Sequence, residues 1–349
     1  MNISTNDIVV TGFSAISAAG SGVAAIRELL DSGHSALTAV PEDVPGGSGQ
    51  LWGKAHSFKA TDFIAPLKAR KMDRCSQFAV AAAGLALKDA AIDLKTVAPE
   101  RIGIALGCGF GGVANSAEFL AGYFSGGVNG LTPMLFPNTV SNAPASNASI
   151  EHGLKGPNVT QVQRFCSAES AFTMACRFIA EGRADIMLTG GADDLMPLLL
   201  AGFAATGQLR RYASSFGEGS GVLVLESGRH ASARSAAIKG TVQGISTVGL
   251  LPAGSEQEGL DRLLSASTAG ELVSISGTTS AFPALLQRTA AAESFDLSTV
   301  TGRSLAMGGV SMAVLLASLG AGQSGLHLAS SPEGPYYAIR FTGGTPVQP

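Results

Sequence analysis

Charge is what this chain has least of. Lysine and arginine number 23 and aspartate and glutamate 26, so charged residues make up 14% of 349, against about a quarter of an ordinary soluble chain. The net charge of −3 provides no basic field to gather phosphates, which excludes non-specific nucleic-acid binding as the main role. Cysteine is scarce as well: Cys75, Cys108, Cys166 and Cys176 form no CxxC pair and show no metal-ligand spacing. That usage reads as a reduced, cytoplasmic protein with no metal and no other cofactor. Histidine is confined to positions 34, 56, 152, 230 and 327. The opening MNISTNDIVVTGFSAIS lacks a basic segment ahead of a long apolar one, so no signal peptide is expected. The uncharged stretch after Arg303 is broken by glycine and serine and reads as a buried helix rather than a membrane span.

What the sequence has in quantity is hydrophobic residues, 46%, and glycine, 45 positions. Apolar content this high offsets the entropy of ordering and excludes disorder. With so few charges to cover it, much of the surface is expected to be buried against a partner subunit. Short β-rich runs alternate with alanine-rich helical stretches, the pattern of an α/β protein with mostly parallel strands. IVVTGFSAIS opens as a strand, and VAAIRELLDSG follows as a helix closed by Gly33. DRCSQFAVAAAGLALKDAAID reads as a helix buried on most faces. RIGIALGCGFGG is a strand running into a glycine cluster, GPNVTQVQRF a second strand, and SAESAFTMACRFIAEG a helix. ADIMLTGGAD and SGVLVLES are further strands. After about position 240 the pattern thins to GELVSISGTTS, a helix in SLAMGGVSMAVLLASLGAG, and a closing strand YYAIRF. The spacing of GCGFGG does not fit a dinucleotide fingerprint, and no ribose-binding acid follows it.

Several of these segments together resemble the β-ketoacyl synthase family of the thiolase superfamily. They are IVVTGFSAISAAGSGV, KARKMDRCSQFAVAAAGLALKDA, RIGIALGCGFGG, NASIEHGLKGPN, GRADIMLTGGAD and GEGSGVLVLESGRHASARSA, in family order and at about family spacing. The resemblance is dense from residue 7 to about 240 and thin afterwards. It implies an αβαβα five-layered, pseudo-duplicated thiolase-like fold that forms a tight dimer. The expected division is an N-terminal half at 1–235 and a shortened C-terminal half at 236–349.

The chemistry of that family needs a nucleophilic cysteine at a helix N-terminus and two histidines that polarise the malonyl carbonyl and stabilise the enolate. The nucleophile falls nine residues after the glycine of the GP dipeptide and twenty before the aspartate of the ADxM strand. Counting from Gly156 and from Asp185 gives the same residue, Phe165. Cys166 comes one residue later, a rotation of about 100° along a helix, which would aim its thiol away from the acyl pocket. The best match to the family's HGTGT element is SGTTS, with Ser276 in the place of the first histidine. RSLAMGGVSMAV matches its KSxxGHxxGAAG element, with Arg303 for the lysine and Gly308 for the second histidine. None of the five histidines lies near either motif in sequence. The GFGG gate is replaced by SSPEGP, residues 331–335 and their neighbour.

The resemblance therefore implies a chain-length factor: the non-catalytic ketosynthase-like subunit that pairs with an active ketosynthase in a type II polyketide synthase. Phe165 departs from the glutamine such subunits commonly carry, so no amide is offered to polarise a carbonyl. The expected partners are the catalytic ketosynthase, with the strand 158–164 pairing across the dimer axis, and an acyl carrier protein. Lys68, Arg70, Lys71 and Arg74 are the candidate carrier-docking residues. Phe110, Val113, Ser116, Phe119, Leu120 and Phe136 are the candidate tunnel residues that set chain length. Two other readings stand beside this one: an active acyltransferase or condensing enzyme using Cys166, and a scaffold that presents the carrier protein.

Overall fold

The computed structural model describes residues 8–209, 215–250, 255–266, 271–277, 282–289, 291, 293–332 and 334–344. Ten strands lie along one hydrogen-bonded path, and that path consists of the same five-strand unit used twice. The first unit is Ile8–Ser17, Ile102–Gly107, Asn158–Gln161, Ile186–Asp193 and Gly219–Ser227. The second is Gly240–Val248, Leu272–Gly277, Glu293–Asp296, Ser324–Ser330 and Tyr336–Gly343. Numbered within its own unit, each runs 1-5-4-2-3 across the sheet. In both, strand 5 is antiparallel to 1 and 4, whereas 4, 2 and 3 are parallel. The two units meet where Val9 and Val10 pair with Thr241 and Gly240.

Side-chain alternation along the strands separates the layers. Val222, Val224, Ile186 and Leu188 turn outward onto the helices Arg74–Asp89 and Ala143–His152. Their neighbours Leu223, Leu225 and Met187 turn inward. There they meet Ala171, Phe172, Ala175 and Cys176 of the helix Ser167–Ala180, and Met312, Leu315 and Leu316 of the helix Gly308–Ser318. Val242, Leu272, Ile339 and Phe341 of the second unit close the same core from the other side. Leu260, Leu263 and Leu286 cover that unit's outer face. The result is helices, sheet, two central helices, sheet, helices: the five-layered αβαβα arrangement.

Local sequence explains the tightest of these contacts. The Arg74 helix begins where Asp73 accepts a hydrogen bond from Ser76 N at 3.0 Å, a standard cap. The Gly308 helix approaches the first sheet backbone to backbone. A Cβ on Gly309 would lie 2.3 Å from Gly221 O, and one on Gly221 would lie 2.1 Å from Val310 N. The GG pair thus lets this helix serve both sheets. Strands Gly240–Val248 and Ser324–Ser330 gave no sequence signal, the first because most of its residues are partly exposed rather than buried. Residues 278–281, which include the TTS of the SGTTS match, and Glu333 of SSPEGP lie outside the described residues. Among the described residues, no helix is long and apolar enough to cross a membrane.

Candidate functional site

The site grows from one backbone turn. The strand Asn158–Gln161 leads to Arg164, which adopts φ of 49°, then to a short turn over Arg164–Cys166 and into the Ser167 helix. A left-handed arginine is a strained conformation that the surroundings must hold in place. Ser167 holds it: its Oγ donates to Arg164 O at 2.7 Å and accepts from Gln163 N at 2.9 Å.

Phe165 and Cys166 leave this turn in different directions. Phe165, 3% exposed, packs among Trp52, Leu195, Leu200 and Phe216. Its ring centroid is 6.5 Å from that of Phe216, Phe216 stacks on Phe203 at 4.5 Å, and Phe203 meets Phe110 at 5.5 Å. The position counted as the nucleophile's is therefore the start of a continuous aromatic cluster. Cys166 turns to the second unit, where its thiol donates to Pro335 O at 3.3 Å and packs on Ala329 and Tyr337. Burial, and secondarily the Glu169 carboxylate, push this thiol well above the ordinary cysteine range. An activated nucleophile needs the opposite shift.

The two histidine positions converge on Glu169, one turn into the helix. Ser276 Oγ donates to Glu169 Oε1 at 2.6 Å. A Cβ on Gly308 would lie 1.8 Å from the same oxygen, so the carboxylate occupies the space into which a side chain at 308 would project. His327 Nε2 lies 2.8 Å from Glu169 Oε1, and its Nδ1 lies 2.7 Å from Ser274 Oγ. Glu169, His327 and Ser274 have no exposure at all, and Ser276 has 5%.

No histidine is near the two motifs in sequence, but the fold brings His327 to them. His327 lies on the strand beside Ser274, in register with it, and 3.4 Å from Ser276 Oγ. Sequence reasoning missed both His327 and Glu169. A signal for Glu169 was present: a lone acid in an otherwise apolar helix start, in a chain that spends few charges, is a buried charge awaiting a partner. Arg303, in the lysine's place, bonds Ser298 Oγ at 3.0 Å and Asp296 at 3.4 Å.

The docking and tunnel candidates separate. Lys68, Arg70 and Lys71 are exposed on and after the short helix Pro66–Ala69. Lys68 also pairs with Glu151 at 2.9 Å. Arg74, unlike these three, is engaged within the chain. Its guanidinium donates to Glu218 at 2.7 and 3.0 Å and to Ala55 O, and it lies 4.8 Å from the centre of the Phe78 ring. Of the tunnel candidates, Phe110 is buried in the aromatic cluster. Val113, Ser116 and Phe119 are half-buried on the helix Val113–Gly126, and Leu120 is exposed. Phe136, expected near the acyl pocket, is 64% exposed and faces Phe119 at 6.0 Å.

That helix has no fully buried residue. Tyr123, Phe124, Val128, Met134, Val140 and Val162 are exposed beside Leu120 and Phe136 in sequence. A helix and a following segment that expose so many large apolar side chains need a covering surface.

Comparison with known proteins agrees with this architecture. Residues 5–231 match the N-terminal domain of β-ketoacyl synthases, and the chain belongs to that family. It is 31% identical over 265 residues to 3-oxoacyl-[acyl-carrier-protein] synthase 2 of Vibrio cholerae, covering 71% of this chain and 64% of that protein. The enzyme of the same description from Staphylococcus aureus is 30% identical over 259 residues, covering 69% and 63%. The chain thus spans less than two thirds of the length of the curated relatives it matches. Among solved structures, a type II polyketide synthase acyl-carrier protein in complex with its ketosynthase superposes with a TM-score of 0.82 at 19% identity, covering 97% of this chain and 99% of that one. The ishigamide ketosynthase/chain length factor superposes with a TM-score of 0.76 at 21% identity and the same coverage.

Proposed function

We propose that this chain is a chain-length factor: a ketosynthase-like subunit without condensing activity of its own, which pairs with an active ketosynthase and shapes the polyketide tunnel of a type II polyketide synthase. One observation carries the reading. The three positions of the family's Cys–His–His set hold Phe165, Ser276 and Gly308, and Phe165 and Glu169 fill the space around them. The exposed apolar face on and after Val113–Gly126 supports a paired subunit, and a ketosynthase/chain length factor among the structural relatives fits the same role. Lys68, Arg70 and Lys71 supply a basic patch for an acidic carrier protein. We take 1–235 and 236–349 as the two halves of the duplication.

The test is reconstitution. The chain alone, incubated with acyl- and malonyl-carrier thioesters, should carry no acyl group and release no carbon dioxide. With a ketosynthase it should form one complex, and changes on its tunnel face should alter product length. A thioester on Cys166 that turns over with malonyl carrier would establish the condensing-enzyme alternative instead. Carrier binding with no influence on product length would leave a scaffold.

A further inference from the structure

We propose that Cys75, Cys108 and Asp193 bind one thiophilic divalent cation of the zinc class, independently of the degenerate condensing site. Sequence spacing conceals the group, because Cys75 opens the Arg74 helix, Cys108 follows the strand Ile102–Gly107, and Asp193 ends the strand Ile186–Asp193. The fold brings both sulfurs and a carboxylate oxygen within 4.8 Å of one another, all buried. The sulfurs are 3.7 Å apart, and Asp193 Oδ1 is 3.9 Å from Cys108 Sγ. Two thiolates on a tetrahedral zinc ion at about 2.3 Å each are separated by about 3.8 Å. The sulfur pair already stands at the ligand edge of that tetrahedron.

The surroundings point to a cation. Asp73, Asp193 and Asp194 all lie close enough to bear on the two thiols, and among the described residues none of the three is in a salt bridge. Asp194, 4% exposed, has Oδ1 without a hydrogen-bond partner. Lys54 acts on Asp194 from a distance, but its ammonium is bonded to Glu218 and Leu195 O. Asp193 Oδ1 accepts from Gly109 N and Phe110 N at 2.7 and 2.8 Å, and Asp73 accepts from Ser76 N and Gly112 N. Asp193 Oδ2 and Asp194 Oδ1, however, are buried without a hydrogen-bond partner, a cost that positive charge beside the two thiols would offset. Binding exchanges protons for metal: two S–H bonds break, two sulfur–metal bonds form, and two protons leave to solvent. No oxidant or reductant is involved. The cation would tie the Arg74 helix to the loop 108–112 that leads into Val113–Gly126.

The experiment uses the full chain, stripped with a chelator and titrated with cobalt(II). One equivalent per chain should give a thiolate-to-cobalt charge-transfer band that zinc abolishes. Cys75→Ser and Cys108→Ser should each remove the band, Asp193→Asn should weaken binding roughly tenfold or more, and Cys176→Ser should change nothing. A wild-type measurement covers variants that fail to fold. In mild denaturant, zinc should slow alkylation of Cys75 and Cys108, read by peptide mass, and leave Cys176 unaffected. No stoichiometric band, a band that survives loss of both cysteines, or alkylation indifferent to zinc would each overturn the proposal.

Discussion

The two halves of this molecule share one strand order and differ in what hangs from it. Strand 1 reaches strand 2 through residues 18–101 in the first half and through 249–271 in the second. Both place the segment after strand 3 as a central helix, so the αβαβα frame survives the shortening. What differs is the surface. Of the exposed large hydrophobic side chains among the described residues, Leu250 alone belongs to the second half. Among the described residues, the exposed apolar surface therefore lies almost wholly on the first half. A frame of strands and central helices can keep its fold while the segments between them shorten.

The largest effect should come from the face that distinguishes the halves. Phe124 is 80% exposed and Phe136 64%, so charging them costs the single chain little. Phe124→Glu with Phe136→Glu should weaken assembly with the ketosynthase about 100-fold or more, the scale of losing a hot-spot pair. Leu250→Glu in the second half should leave assembly intact. Sedimentation of co-purified material reads both, and equal behaviour of the two variants would erase the contrast.

Next in size is the ion network that anchors the first half. Glu218 is fully buried and accepts from Lys54, Arg74, Ala55 N and Leu195 N. Burial acts to raise its pKa, but the Arg74 and Lys54 charges outweigh that, and the carboxyl is held below its usual range. A carboxylate depressed in the fold contributes stability above its unfolded value, near 4.5, and that contribution is lost as pH falls through the lower folded value. Glu218→Gln should cost about 3–5 kcal/mol at pH 7, because it strands two cations. The gap to the parent should narrow below pH 4. Melting temperatures across pH 3–8 test this, and a gap that does not change with pH would show that packing, not charge, holds Glu218.

The surroundings of Glu169 should give a smaller, diagnostic penalty. Ser276 and His327 fix Glu169, so the carboxylate cannot swing from a new methyl at 308. Gly308→Ala should cost about 1–3 kcal/mol by overpacking. Combined with Glu169→Ala it should cost less than the two single changes together, since removing the carboxylate makes the room. Additive losses would show that the two positions are not coupled. Phe165→Cys, Ser276→His and Gly308→His introduced together should stay inactive while Glu169 is in place.

How much of this was legible beforehand follows from where signals are local. The strand-and-helix alternation, Gly33 and the GG pair of the Gly308 helix are written in neighbouring residues, and the fold could be read from them. Phe165 was reached by counting from Gly156 and Asp185, and Ser276 and Gly308 by matching short motifs. Glu169 and His327 were not, because what joins them is a register between strands 50 residues apart in sequence and a helix from the other half. Arg74 looked like one charge in a basic run, and only the fold shows that its partner is Glu218. The strand Ser324–Ser330 was missed with its histidine, since seven mostly buried residues give no alternation to detect.

The smallest energetic effect, and the one that bears most directly on function, concerns the helix Val113–Gly126. Ser116 is half-buried with its hydroxyl on Thr139 O at 3.1 Å, and Phe119 faces Phe136 across 6.0 Å. Both lie at the edge of the exposed apolar face, where a partner subunit would complete a tunnel wall. Neither is in the core, so changing them should alter stability little, by about 0.5 kcal/mol. A two-carbon unit lengthens an extended chain by about 2.5 Å, comparable to the depth a phenyl ring adds over a small side chain. Ser116→Phe should therefore shorten the polyketide by one or two units, and Phe119→Ala should lengthen it, without loss of turnover. Products from each variant reconstituted with ketosynthase and carrier would be weighed by mass spectrometry. Unchanged lengths in both, or yields that fall only with stability, would show that this helix covers the partner without measuring the chain, and would leave Phe110 as the tunnel candidate joined to the Phe165 cluster.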